Sequence, residues 1–334
     1  MQGFILENRY FRQILAAGSV VVASTLCLSA AVSNRPANHT ERAELPPLTD
    51  ITPAHKLPAI RLSAAARHSK ELVTENSSLE KCTRRENTFW TINDSESGPY
   101  LFALSVNGEV LKPDFPTKRY RGIFLKARRN IDWEALASDG NGNLIIADIG
   151  NNKSNRRNLC FYIVPEPDPK DESTETSRKV SFYYPTQDFF PDPSLNFDSE
   201  SCFALNGFIY FFSKQWSNTE TVLWRVNPNT EDYQAAVPVS RFNVRGLVTD
   251  AALSEKRDRL AVLTYHSVWV FDLPPQDAYG KRDEEAFFSK PHYRKIAVPF
   301  QDWQLEGIAF LDDDTLLISS ESGALFHLPL SEVK

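Results

Sequence analysis

The chain has 334 residues, 42% hydrophobic and 24% charged, and its 22 Phe, 11 Tyr and 6 Trp exclude disorder over most of its length. Formal charge is −6, with 37 Lys and Arg against 43 Asp and Glu, so nucleic acid is not an expected partner. Four cysteines are too few for a disulfide scaffold, and stability has to come from burial.

Residues 1–13 carry two Arg and one Glu, and 14–32 then run without a charge, closing on Ser29, Ala30, Ala31, Val32 and Ser33. Small residues after an apolar run suit a signal peptidase, so 1–33 is expected to be an export signal, with a retained membrane anchor at 14–32 as the alternative. The expected location is periplasmic or secreted, or membrane-anchored if the segment stays. Residues 34–56 are rich in Pro, Thr, Ala and Glu and read as a linker, which leaves 57–334 for a single domain.

That domain repeats. Five segments begin with an acid and continue as a short apolar strand: Glu80, Glu134, Glu200, Asp250 and Glu306, spaced by 54, 66, 50 and 56 residues. Each is followed by a turn and then a second strand, at 88–92, 144–147, 208–212, 260–264 and 316–319. Third strands follow at 100–105, 159–164, 221–226, 267–273 and 324–328. Fourth strands are expected at 179–184, 233–239 and 293–298, and less clearly at 108–111. Helical periodicity is nearly absent beyond residue 75. The pattern predicts an all-β protein, a β-propeller of five four-stranded blades, with six blades as the alternative. The last blade lacks a fourth strand, which 57–62 is expected to supply, closing the ring from its amino end.

In a propeller the innermost strands line a central channel, so the five acids are expected to converge at one mouth. Like charges that close repel by several kcal/mol in reduced dielectric, and either take up protons or surround a cation. Oxygen donors without a His or Cys cluster favour Ca²⁺. The other reading pairs the acids with Lys or Arg, or bonds them to strand backbones. Asn93, Asp94 and Asp148 lie in loops after the second strands, where Lys214 and His266 occupy the matching loops of other blades. A basic run (Lys118, Arg119, Arg121, Lys126, Arg128, Arg129) precedes Asp132, and Arg156 follows in the next loop of that blade. Arg128 or Arg156 could clamp an anionic group, and a solvated basic loop is the plainer reading. Cys82 and Cys202 each follow a repeated acid by two residues and are expected to be buried thiols.

At Thr91-Ile92-Asn93-Asp94-Ser95, Asp132-Trp133-Glu134-Ala135-Leu136 and Ala147-Asp148-Ile149-Gly150-Asn151-Asn152 the chain resembles a group of exported bacterial propeller proteins. More distantly it resembles calcium-dependent propeller hydrolases, the six-bladed gluconolactonase and paraoxonase type and the five-bladed calcium-activated apyrase type. That resemblance implies a Ca²⁺ held by acids at the channel mouth, matched here by Glu80, Glu134, Glu200, Asp250 and Glu306, and polarising a lactone or phosphate oxygen. Three readings follow. The protein binds a small anionic molecule or a protein partner at a calcium-loaded mouth, without turnover and as a monomer. It is a metal-dependent hydrolase of a phosphoester or lactone, with Glu134 or Asp148 as base. Or it is a cell-envelope scaffold with a structural metal.

Overall fold

A computed structural model describes residues 43–52, 58–95, 97–114, 119–126 and 128–334. The expected export or anchor segment and Lys118 lie outside the described residues. Five sheets, each built on four antiparallel strands, make five blades, and four of them carry a fifth, parallel strand at the outer edge. Their inner strands are Glu80–Lys81, Trp133–Ser138, Asp198–Leu205, Val248–Leu253 and Leu305–Phe310, and each touches the next around the ring.

The apolar runs read as they do because each sheet is sandwiched between two others. In Phe208–Lys214, Ile209 and Phe211 pack toward blade two while Tyr210 and Phe212 pack toward blade four. Both faces are buried, so the sequence runs apolar without alternation. Each of the five gaps between neighbouring blades holds its own cluster of buried side chains. Aromatic rings fill the thicker ones; Phe182 and Phe211, for example, lie with centroids 4.8 Å apart. The thiols of Cys82, Cys160 and Cys202 are free and buried, as expected of Cys82 and Cys202.

Two strand expectations need correction. The fourth strand of blade one is Ile123–Lys126, whose Ile123 and Leu125 are buried while Phe124 and Lys126 face out. The stretch 108–111 shares the same edge but forms only a bridge, Leu104 to Val110. Its place was hidden because the strand proper sits inside the basic run, where charge masks the alternation. The closing strand is likewise not 57–62. Ala66–Arg67 pairs antiparallel with Ala324–Pro329 of blade five, and Ile60–Arg61 lies parallel on the outer edge of blade four.

That parallel edge strand belongs to a pattern the sequence did not announce. Ser173–Glu175, from a loop of blade two, pairs with the edge of blade one, and Gln234–Ala235, from blade three, pairs with that of blade two. Leu48–Thr49, inside the expected linker, covers the edge of blade three. Strands of two or three residues carry too little pattern to read, yet they occupy backbone groups that would otherwise be open to a second chain.

The closure is locked by charge. Arg67 donates from Nη1 and Nη2 to the two oxygens of Asp302 (2.9 and 2.6 Å), and Ser322 Oγ donates to Oδ1 (2.5 Å). Against burial, which would raise it, Arg67 and Ser322 hold the Asp302 carboxyl below its usual range. Asp302→Ala is expected to cost about 2 kcal/mol, moderated by the exposure of Arg67, and to lower Tm by about 4–8 °C in calorimetry. An unchanged Tm would show that strand pairing alone closes the ring.

Candidate metal centre at the channel mouth

The inner strands enter the channel through bulges, and the bulges decide where the acids point. In blade two, Trp133 pairs with Asp148 and Ala135 with Ala147, which leaves Glu134 as the extra residue. Glu306 occupies the same place in blade five, and Glu200 lies within the shift between Ser199 and Cys202 in blade three. In blade four the extra residue is Thr249, and Asp250 is already paired with Leu263. In blade one Asn76 bridges Asn93 and Glu80 pairs only with Trp90, well down the strand. The five acids recur in sequence without recurring in structure.

Two of them therefore leave the expected ring. Asp250 accepts from the backbone N–H groups of Leu79 (3.1 Å), Ala251 (2.9 Å) and Ile308 (2.9 Å) and from Ser78 Oγ (3.2 Å). It staples blades four, five and one together, which is the backbone-bonding alternative. Glu80 accepts from Ser138 N–H (3.0 Å), beside the hairpin at the other end of the channel.

At the mouth, Asp94, Asp132 and Glu134 bring one oxygen each to within 4.8 Å of one another. Asn130 sets the geometry. Its Nδ2 donates to the carbonyls of Asn93 (2.9 Å) and Asp94 (3.0 Å), and its Oδ1 accepts from Trp133 N–H (3.0 Å). The loop of blade one is thus clamped to the entry of blade two. Asn93 is an anchor in the same frame, accepting from Glu75 N–H (3.3 Å) and donating to Leu72 carbonyl (2.9 Å). Beneath the acids lies Gly150, where a Cβ would stand 2.5 Å from both Asp132 Oδ2 and Glu134 Oε1. Gly150→Ala is accordingly expected to push the two carboxylates apart and weaken cation binding at least tenfold in calorimetric titration, with the strands intact by circular dichroism. Unchanged affinity would place the ion elsewhere.

Burial and the neighbouring acids oppose ionisation of this group. Burial, then Asp94 and Asp198, pushes the Asp132 carboxyl up to about 7. Burial, then Asp94 and Glu200, lifts Glu134 well above the usual range. Arg156 is the nearby cation, but it is already engaged: Nη2 donates to Asp148 Oδ1 (2.6 Å) and Nη1 to Gly150 carbonyl (2.5 Å), with Asp132 Oδ2 at 3.9 Å. Even so, burial leaves Asp148 raised. Asp148 Oδ2 and Asn152 Oδ1, in the same loop, are buried acceptors with no donor among the described residues.

Across the mouth, Lys214 is wholly buried and ion-paired with Glu200, and its Nζ donates to Tyr265 Oη (2.8 Å). Trp216 donates to Asp198 Oδ2 (2.8 Å), and its ring and that of Tyr265 lie 5.0 and 4.8 Å from the ammonium. Glu306 is lifted by burial and by Glu200. His266 packs at a tilt against Tyr265 and Trp303. Arg128 donates to Thr176 (3.1 Å) and lies over the Tyr162 ring. Arg156 and Lys214 are thus internal counter-ions as the structure stands. Sequence reasoning passed over Asp132 as a ligand. Asp132 precedes the strand, and the bulge at Glu134 that brings the two carboxylates together has no local sequence signal.

The sequence matches no protein-family profile and no curated protein. Solved structures similar to the chain include the holo form of the pyranose dehydrogenase PQQ domain from Coprinopsis cinerea (11% identity, TM-score 0.46, covering 86% of this chain and 100% of that one). Hydrazine synthase from Kuenenia stuttgartiensis is similar at 7% identity and TM-score 0.38, over 73% of this chain and 68% of that one. A chain of a mitotic checkpoint complex is similar at 8% identity and TM-score 0.36, covering 86% and 99%. At these levels nothing about chemistry passes from them to this chain, and the propeller assignment rests on its own strand pairing.

Proposed function

We propose that the protein is an exported propeller that binds one divalent cation, Ca²⁺, between Asp94, Asp132 and Glu134, and through it a small anionic ligand at the channel mouth. The observation that carries this reading is the convergence of three carboxylate oxygens within 4.8 Å. Oxygens about 2.4 Å from one ion can be up to about 4.8 Å apart, and an all-oxygen donor set suits a hard cation. Asp148 Oδ2 and Asn152 Oδ1 add acceptors in want of a positive partner. Calcium takes more oxygens than three carboxylates supply, and the remaining positions would go to water or to the ligand's own oxygens.

Hydrolysis of a lactone or phosphoester is the second reading, drawn from the resemblance to calcium-dependent propeller hydrolases. What favours it is Asp148, whose Oδ1 meets Asp132 N–H (3.3 Å) and whose Oδ2 has no donor. A protein stripped of metal and then given calcium at a hundred times its Kd should be stabilised by about 2.7 kcal/mol, or about 5–11 °C in Tm. Asp132→Asn should remove the shift. No shift with Ca²⁺, Mg²⁺ or Mn²⁺ would refute the proposal. Calcium-dependent turnover of a lactone or nucleotide, lost in Glu134→Gln, would favour the hydrolase.

A further inference from the structure

Because the strands of each blade alternate in direction, every loop from one blade's outer strand to the next blade's inner strand opens on the face that holds the acidic triad. Three of these loops expose a large apolar side chain. Ile131 (43% exposed) stands beside Asp132 at the entry to blade two, and Phe189 (51%) lies in the loop entering blade three. Phe300 (86%) begins the short turn Phe300–Asp302 at the entry to blade five. Single exposed apolar residues are ordinary on a protein surface. These three recur at one structural position around one mouth, and none joins a buried cluster. Anchors on separate loops suit a soft apolar layer better than the single packed core of a protein interface. Trp216 and Trp303, half-buried on the same face, are rings of the kind that settle at the level of lipid headgroups.

Charge on this face is zoned. The triad and its neighbouring acids lie at the centre, half-buried or buried, and exposed cations stand outside them. Arg129 is two residues from Ile131, Lys153 and Arg157 are in the loop after Asp148, and Arg245 is in the loop entering blade four. Among the described residues none of these four cations is in an ion pair. The guanidinium of Arg157 lies over the Phe190 ring, and that of Arg245 over Trp269 and Tyr293. Such contacts hold a cation in place and leave its charge open to an anion. Among the described residues of these loops, the exposed acids are Glu71 and Glu75, both in the loop entering blade one.

We propose that this face docks on an anionic phospholipid bilayer. Ile131, Phe189 and Phe300 enter the boundary of the acyl layer, and the outer cations meet lipid phosphates. One headgroup phosphate completes the coordination of the ion held by Asp94, Asp132 and Glu134. The proposal rests on the calcium reading of the triad and names the anion that the ion receives. All six tryptophans lie between Trp90 and Trp303, so their emission reports on the propeller and not on residues 1–42. Full-length protein is mixed with phosphatidylcholine vesicles containing brominated phosphatidylglycerol, in calcium or in EDTA, and the calcium shift in Tm is measured separately without lipid. Calcium should produce quenching that EDTA reverses, and brominated vesicles of phosphatidylcholine alone should bind at least tenfold more weakly. Ile131→Ser, Phe189→Ser and Phe300→Ser combined should weaken vesicle binding at least tenfold and leave the calcium shift in Tm unchanged. If the triple variant does not fold, Phe300→Ser decides, with at least threefold weakening expected. A calcium shift in Tm without quenching, the result a protein partner on this face would give, overturns this proposal alone. No calcium shift overturns the metal centre and this proposal with it. Quenching that is equal in EDTA, on phosphatidylcholine alone, or in the apolar variant also overturns it.

Discussion

Replacing Lys214 with methionine is expected to lower stability by about 3 kcal/mol at pH 9.5 and by distinctly less at pH 7. The ammonium is wholly buried and ion-paired with Glu200, with Tyr265, Glu306 and Asp198 around it. Against burial, which would lower it, Glu200 and Tyr265 hold the Lys214 pKa above its usual range, so the lysine keeps its charge. Burial lifts Glu200 to about 8 even with Lys214 pulling the other way. A carboxyl raised in the folded state stabilises fully below its unfolded pKa, and that contribution is lost as pH climbs toward the folded value. Without Lys214 the folded pKa moves higher still. The deficit of the variant therefore opens above about pH 8, where the wild-type Glu200 ionises against Lys214 while the variant's carboxyl has no cation to ionise against. Urea unfolding at the two pH values checks this, and Glu200→Gln added to Lys214→Met should recover more than half of the loss. Equal stability of wild type and variant at pH 9.5 would mean that the pair contributes nothing.

The metal-free protein is expected to lose stability as pH rises from about 4.5 to 8, and calcium is expected to reverse that trend. Asp132, lifted to about 7, and Glu134, lifted well above its usual range, hold protons that the unfolded chain has already released near pH 4. Each such group costs about 1.4 kcal/mol per pH unit between its unfolded and folded pKa. A cation supplies the missing charge and needs the carboxylates ionised, so its stabilisation should grow over the same interval. Thermal melts at pH 5, 6.5 and 8 with EDTA or calcium should show the two curves diverging upward in pH. Parallel curves would contradict a carboxylate site. In Asp132→Asn the metal-free slope should flatten as well, because one of the raised groups is gone.

The number of blades was legible because every blade repeats acid, strand, turn, strand, and because buried sheets leave unbroken apolar runs such as Phe208-Ile209-Tyr210-Phe211-Phe212. The edges were not. Ala66–Arg67 and Ser173–Glu175 are too short to carry a period, and their pairing is fixed by partners far along the chain. At the site, spacing located Glu134, Glu200 and Glu306 but grouped them with Asp250 and Glu80. A shift of one to three residues along a strand, set by where each bulge falls, is enough to turn an acid onto the backbone or carry it to the opposite mouth. Asp94 joins the triad through Asn130, a single amide bridging two loops, and no local pattern encodes such a bridge.

Crystals soaked in manganese or calcium chloride test the central claim most directly. The account predicts one ion with ligands from Asp94, Asp132 and Glu134, visible as a manganese anomalous peak in the wild type and missing in Asp132→Asn. An empty triad, or an ion bound instead beside Glu80 or Asp250, would contradict it.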